Sequence, residues 1–186
     1  MTVFFGGDCH FGHWTSPERN IIKYCDRPFS TIEEHDDALI GERNRIVGPD
    51  DTVYDLGDVT LGGEDMARRY FARMNGKLFV LGNTFHHDRR WLLHGPYWTR
   101  QHQVVILPPI HTMKIDDLFI VLCHYPFASS HWDRSHYGSI CLHAHTHGRY
   151  QGEGRILDVG VDSAARILGS YRPFAFGEIM SYMEGR

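Results

Sequence analysis

Two pairs of metal-ligating residue types stand two positions apart: Asp8 with His10, and His145 with His147. In extended backbone, residues i and i+2 face the same side, so each pair can turn toward a common site. Asp58, Asn83 and His124 follow apolar runs in the same way. Histidine is abundant, 14 of 186 residues, and no run of it sits at either end. Neutral imidazole is the commonest metal ligand and titrates near neutral pH. A set that mixes carboxylate, carboxamide and imidazole suits Mn²⁺, Fe or Zn²⁺ better than Ca²⁺, which prefers oxygen alone. Seven such ligands exceed a tetrahedral zinc site. They suit two roughly octahedral metals that share one carboxylate and leave room for water.

The elements that must position these residues are short apolar runs. Val3-Phe4-Phe5, Thr52 to Leu56, Leu78 to Leu81, Leu118 to Leu122 and Ile140 to Leu142 read as strands. They run into Asp8-Cys9-His10, Gly57-Asp58, Gly82-Asn83, His124 and His143 to His147 respectively. In α/β sheets ligands bind at the carboxyl ends of strands, so the pattern gathers these side chains on one rim. Taken singly, Asp58 also reads as a helix cap, Asn83 as a turn residue and His124 as a core histidine. All of them standing at strand ends is not explained that way.

Helices are expected from Thr31 to Val47, with Ser30 and Glu33 at capping-box spacing, from Glu64 to Met74, and from Pro173 to Glu184. Val104 to Leu107, His111 to Ile115 and Ile156 to Val161 read as further strands. Asp116-Asp117, between His111 to Ile115 and Leu118 to Leu122, predicts a tight hairpin, so this part of the sheet is expected to be antiparallel. A single α/β layered domain over residues 1–186 follows. A domain of this length buries roughly 70% of its unfolded surface and needs no disulfide staple. The four cysteines show no CxxC spacing, which fits a reduced, cytoplasmic protein. No signal peptide and no membrane span are expected, because no apolar run approaches the ~20 residues a span needs. The net charge of −4 counts against a domain that grips nucleic acid by bulk charge.

In their order these motifs resemble the calcineurin-like metallophosphoesterases, whose pattern runs DxH, GD, GNH(D/E), an isolated His and GHxH. Here they stand as Asp8-Cys9-His10, Gly57-Asp58, Gly82-Asn83, Cys123-His124-Tyr125-Pro126 and Ala144-His145-Thr146-His147. Further stretches are similar to a compact bacterial and phage-type branch: His10-Phe11-Gly12-His13, Asn20 to Tyr24, Arg27-Pro28-Phe29, Asp51 to Tyr54 and Asp158 to Asp162. The resemblance implies a four-layer αββα sandwich with two mixed β-sheets and a dinuclear site between their loop ends. By motif, Asp8, His10 and His147 would hold one metal and Asn83, His124 and His145 the other, with Asp58 bridging. The implied cofactors are two divalent ions, Mn²⁺ first, with Fe, Zn²⁺ and Ni²⁺ as the others. The implied reaction is hydrolysis of a phosphomonoester or phosphodiester, nucleotide-like or small.

Two positions depart from the pattern. Ala144 replaces the usual Gly, and Thr84 stands where a His should follow Asn83. In the family that His helps protonate the leaving group. His87, or His86, in Thr84-Phe85-His86-His87-Asp88 is the expected replacement; the alternative is loss of the function. Arg134, in the stretch from Phe127 to Gly138, and Arg27 and Asn20, after the first ligand pair, are candidate substrate contacts, since arginine forks match phosphate oxygens. Cys9, Cys123 and Cys141 are expected to point into the core. The competing readings are a catalytically weak metal-binding or interaction module, favoured by Thr84, and a nuclease, disfavoured by the acidic balance.

Overall fold

Continuous apolar runs such as Val3-Phe4-Phe5 form strands buried on both faces, as parallel sheets require. The computed structural model describes residues 1–82, 87–150 and 152–184. Its first half alternates strands and helices: β1 (Val3–Gly6), the small hairpin β2 (Trp14–Ser16) and β3 (Arg19–Asn20), α1 (Ile21–Cys25), α2 (Ile32–Ile46), β4 (Thr52–Asp55), α3 (Glu64–Phe71) and β5 (Lys77–Leu81). The second half runs β6 (Val105–Leu107), β7 (Ile110–Ile115), β8 (Leu118–Cys123), β9 (Ile140–His143), β10 (Ile156–Asp158), α4 (Val161–Leu168), β11 (Phe174–Ala175) and α5 (Phe176–Met183).

Two mixed sheets result. The first has the order β11-β1-β4-β5-β6, with only β11 antiparallel to its neighbour. The second has the order β10-β9-β8-β7, with β7 antiparallel and the rest parallel. The hairpin at Asp116-Asp117 forms as expected and joins β7 to β8, with Asp116 at φ 52°. The antiparallel expectation fails at Val104 to Leu107, where β6 crosses to the first sheet and pairs parallel with β5; β9 lies parallel to β8.

Alternation along β1 divides the core. Phe4 packs with Leu39, Ile40, Ala67 and Phe71 of α2 and α3, while Phe5 packs with Ile120, Leu122, Ile140 and Leu142 of the second sheet. Ala164 of α4 and Ile179 of α5 join the second cluster. The outer face of the second sheet, at Val121, Cys141 and Ile156, is covered by Trp132, Phe127 and Tyr150. The fold is thus mixed α/β. Among the described residues no helix is long and apolar enough to cross a membrane.

Local chemistry moved three boundaries. Thr31, not Ser30, caps α2: its Oγ1 accepts the Glu34 N–H at 3.1 Å, and the Glu34 carboxylate accepts the Ser30 N–H at 2.8 Å. The strand expected through Val161 stops at Asp158, because Val161, Ala164, Ala165 and Leu168 repeat at helical spacing and build α4. The tail spends Phe174 and Ala175 on β11 before its helix begins at Phe176.

Candidate metal centre

The ligand loops are stitched together by backbone before any side chain acts. The loop after β1 docks on the loop after β4: Asp8 N–H donates to Gly57 O at 3.0 Å and His10 N–H to Asp58 O at 2.9 Å. Ala144 N–H donates to His124 O at 3.0 Å, and Val161 N–H donates to Gly7 O at 3.0 Å, which ties the second sheet's loops and α4 to the same place. The price of this convergence is backbone strain. Asp8 (φ 58°), His10 (54°), Asp58 (55°), His145 (68°) and His147 (50°) all occupy the left-handed region, which side-chain-bearing residues rarely adopt. Such outliers gather at functional sites, held by the structure around them. The Asp8–His10 and His145–His147 pairs therefore do turn inward, but through left-handed residues and not through the extended alternation expected. Ala144 is outside that set, so alanine in place of glycine carries no strain there. Gly160 is required by contact: a Cβ on it would lie 2.6 Å from Asp8 Oδ2.

Among the described residues four groups have their ligating atoms within 4.8 Å of one another: Asp8, His10 and His147, and Asp58, His124 and His145, which hold the expected ligands, and also His10, His13 and His87, and Cys25, His147 and Asp162. Asp58 Oδ2 sits between the first two, 3.7 Å from His10 Nε2, 3.5 Å from His124 Nε2 and 3.7 Å from His87 Nε2. Among the described residues both oxygens of Asp8 and both ring nitrogens of His10 are buried without a hydrogen-bond partner. Each such orphan costs about 1–3 kcal/mol, and a cation between them would satisfy several at once. That donor set fits divalent metal.

Burial and mutual contact shift the carboxyls and imidazoles of the cage against one another. Burial pushes the Asp8 carboxyl up to about 7. Burial opposes charge on His124, yet the ion-pair contact with Asp58 and the charge of Asp8 outweigh it and raise His124 to about 9. Asp58 is held below the usual carboxylate range: burial pulls the other way, but the His124 contact and the surrounding imidazoles prevail.

Around the cage lies a shell of buried partners, most of which the sequence did not reveal. His124 Nδ1 donates to Leu56 O at 2.9 Å, and His147 Nδ1 donates to Asp162 Oδ2 at 2.6 Å. Such outer partners fix the orientation of ligating imidazoles. Asp162 in turn receives Arg27, through Nε at 2.8 Å and Nη2 at 2.7 Å. Asp88 accepts the N–H groups of Asp58, Val59 and Thr60 at 2.8, 3.0 and 3.2 Å and the Trp91 indole N–H at 3.0 Å, which clamps the bridging residue's loop.

All three expected substrate contacts need correction. Arg27 is buried, and its remaining donors hold Asp8 O at 2.8 Å, Cys9 O at 3.0 Å and His35 Nε2 at 2.7 Å; it positions the ligand loop from behind. The relay continues from His35 Nδ1 to Asp36 at 2.7 Å, and Asp36 accepts the hydroxyl of Tyr70. Asn20 caps α1: its Oδ1 accepts the Lys23 N–H at 2.9 Å and its amide donates to Ser16 O and Pro17 O. Arg134 stacks on Phe119 of β8, 4.1 Å from the ring centroid, and is not among the described residues that line the pocket. The cysteines lie as expected: Cys123 and Cys141 are buried, and half-buried Cys9 packs against the first core cluster.

The cage opens into a pocket of about 610 Å³ whose lining includes His10, Asp58, His145 and His147. His87 also lines it, its ring 4.4 Å from that of His10 and 5.2 Å from that of His13. His13, Tyr24, Tyr125, Ile21 and Leu61 complete the lining, and none of them was singled out as a site residue from sequence. Asn83 and His86, with Thr84 and Phe85, lie outside the described residues.

No protein-family model matches the chain. Over 90 residues it is 40% identical to an uncharacterized protein of Methanocaldococcus jannaschii, a match that covers 47% of each chain; the chain thus aligns with about half the length of that relative. It is 28% identical over 192 residues to the gene 66 protein of Mycobacterium phage L5, covering 89% of each. The gene 66 protein of phage D29 is 27% identical over 186 residues. Among solved structures, a protein of unknown function from Aquifex aeolicus superposes with a TM-score of 0.68 at 19% identity, covering 97% of this chain and 98% of the other. That likeness concerns the fold.

Proposed function

We propose that the chain is a metal-dependent phosphoesterase of the calcineurin-like type, hydrolysing a phosphomonoester or phosphodiester at a dinuclear centre. The observation that carries this reading is the position of Asp58: one carboxylate oxygen lies 3.5–3.7 Å from imidazole nitrogens of His10, His87 and His124, between two ligand groups that already contain the expected partners. On this reading the two mixed sheets are the inner layers of an αββα sandwich. Helices α2 and α3 form one outer layer, and on the outer face of the second sheet Trp132, Phe127 and Tyr150 take the place of the other. The four free cysteines suit a reducing, cytoplasmic setting.

The mixed carboxylate and imidazole donors favour Mn²⁺, with Fe, Zn²⁺ and Ni²⁺ as alternatives. Two bound divalent ions would supply hydroxide at neutral pH and offset charge on the phosphoryl oxygens. Asp8, His10 and His147 would hold one ion, His124 and His145 the other with Asn83, and Asp58 both. His87 faces the pocket beside Asp58 and His10, where an imidazole can hand a proton to the leaving oxygen. It thereby takes the role that Thr84 cannot fill. Arg27, Asp162 and Asp88 keep the ligands oriented.

The test is turnover of p-nitrophenyl phosphate and bis-p-nitrophenyl phosphate by the Mn²⁺-loaded chain, alongside an alkyl phosphate. Activity that the variant His87→Ala loses mainly on the alkyl ester supports both the reaction and the acid, because nitrophenolate leaves without a proton. Full metal occupancy with no turnover of any ester would favour the metal-binding module instead.

A further inference from the structure

The pocket offers far more room than a phosphate needs, and its walls are aromatic. Tyr24 is 63% exposed and Tyr125 43% exposed. An exposed tyrosine alone needs no explanation. These two differ because each leans on ligand histidines from its own side of the cage. Tyr24 meets His147 nearly edge-on at 5.9 Å, and Tyr125 meets His124 at 4.9 Å and His145 at 4.6 Å. Tyr24 is further pinned by Arg149, whose guanidinium lies 4.9 Å from the ring centroid and whose Nη2 donates to Tyr24 O at 2.8 Å. Ile21 and Leu61 add apolar surface between them.

We propose that Tyr24 and Tyr125 are specificity residues that hold a flat heteroaromatic ring, so that the substrate is a mononucleotide whose phosphate reaches the cage while its base rests on these walls. The proposal builds on the phosphoesterase reading above. The pocket's volume of about 610 Å³ is in the range of sites that enclose whole small ligands. No arginine or lysine is among the described residues that line it, whereas a polynucleotide needs rows of cations along its backbone. A single nucleotide needs only the metal-facing end for its charge. Base–aromatic stacking is sequence-tolerant and typically worth about five- to 140-fold per base.

The experiment compares AMP with ribose 5-phosphate, which keeps the sugar and phosphate and lacks the base, using the Mn²⁺-loaded full chain. Calorimetric titration with the four ribonucleosides, which carry no phosphate, gives a readout independent of turnover. The expected results are a kcat/KM ratio for AMP over ribose 5-phosphate of at least tenfold, its collapse toward one in Tyr24→Leu and Tyr125→Leu, its recovery in the Phe variants, and parallel losses in nucleoside affinity. Thermal melts establish that the leucine variants fold. A ratio near one, unmoved by the leucine variants, with ester turnover intact overturns the proposal and leaves the phosphoesterase reading standing. Preference for a long single strand with steep salt dependence also overturns it. If no ester is hydrolysed, glycerol phosphate included, the phosphoesterase reading fails; nucleoside binding that depends on the two tyrosines then still supports the walls, and its absence overturns them.

Discussion

At the floor of the pocket Asp8, His10, Asp58 and His147 are buried, bent into left-handed backbone and backed by a shell of hydrogen-bonded partners. At its walls Tyr24 and Tyr125 are exposed and their rings lean on ligand histidines, with Arg149 over Tyr24. The difference separates what chemistry fixes from what recognition leaves free. A floor that stores backbone strain and leaves the Asp8 and His10 side chains without hydrogen-bond partners tolerates almost no substitution, because its loops are fixed by one another. A wall can change its side chains and keep the same floor.

The sharpest way to break this contrast is at the bridge. Asp58→Asn keeps the shape and removes the shared charge. Turnover is expected to fall by more than the roughly 10–100-fold that loss of an outer partner costs, with the circular dichroism spectrum retained; near-normal turnover would contradict a bridging role. Next comes Gly160→Ala, whose new Cβ would lie 2.6 Å from Asp8 Oδ2. It should weaken Mn²⁺ binding by about tenfold or more, read by titration, while a floor able to give way would leave affinity unchanged. Arg27→Lys keeps the buried charge and loses the fork on Asp162. A drop of about tenfold in metal affinity, with a lowered melting temperature, is expected; a change in KM alone would return Arg27 to the substrate. The smallest effect sharpens the comparison from outside the pocket. Thr31→Ala removes the α2 cap and should cost about 1 kcal/mol of stability, measured by denaturant unfolding, with turnover per folded molecule unchanged.

The floor was legible in the sequence and its support was not. Apolar runs cut by glycine announce strand ends, and ligand types placed directly after them are a local signal. Arg27 and Asp162 lie 135 residues apart, so neither carries a local sign of the other. Arg27, buried and fully engaged, reads from sequence like any arginine near a ligand pair, as does Arg134, which in fact rests on Phe119. The left-handed turns at Asp8 and His147 depend on loops docking across the fold and not on glycine, so no composition rule reveals them. Asp88 shows the same limit. It looks like half of a displaced motif, yet it holds three consecutive backbone amides. The walls were invisible for the opposite reason, since single exposed tyrosines are ordinary in any sequence. Helix α4 has no counterpart in the sequence reading: the expected strand Ile156 to Val161 meets it at Val161 alone, and the helical repeat Val161, Ala164, Ala165, Leu168 spans only two turns.

The central claim is that Asp58 stands between two cation positions. Anomalous diffraction from crystals grown with Mn²⁺ tests it most directly. Two peaks flanking the Asp58 carboxylate, one against Asp8, His10 and His147 and one against His124 and His145, are the expected result. A single peak that leaves Asp58 untouched, or no peak at saturating manganese, would contradict it.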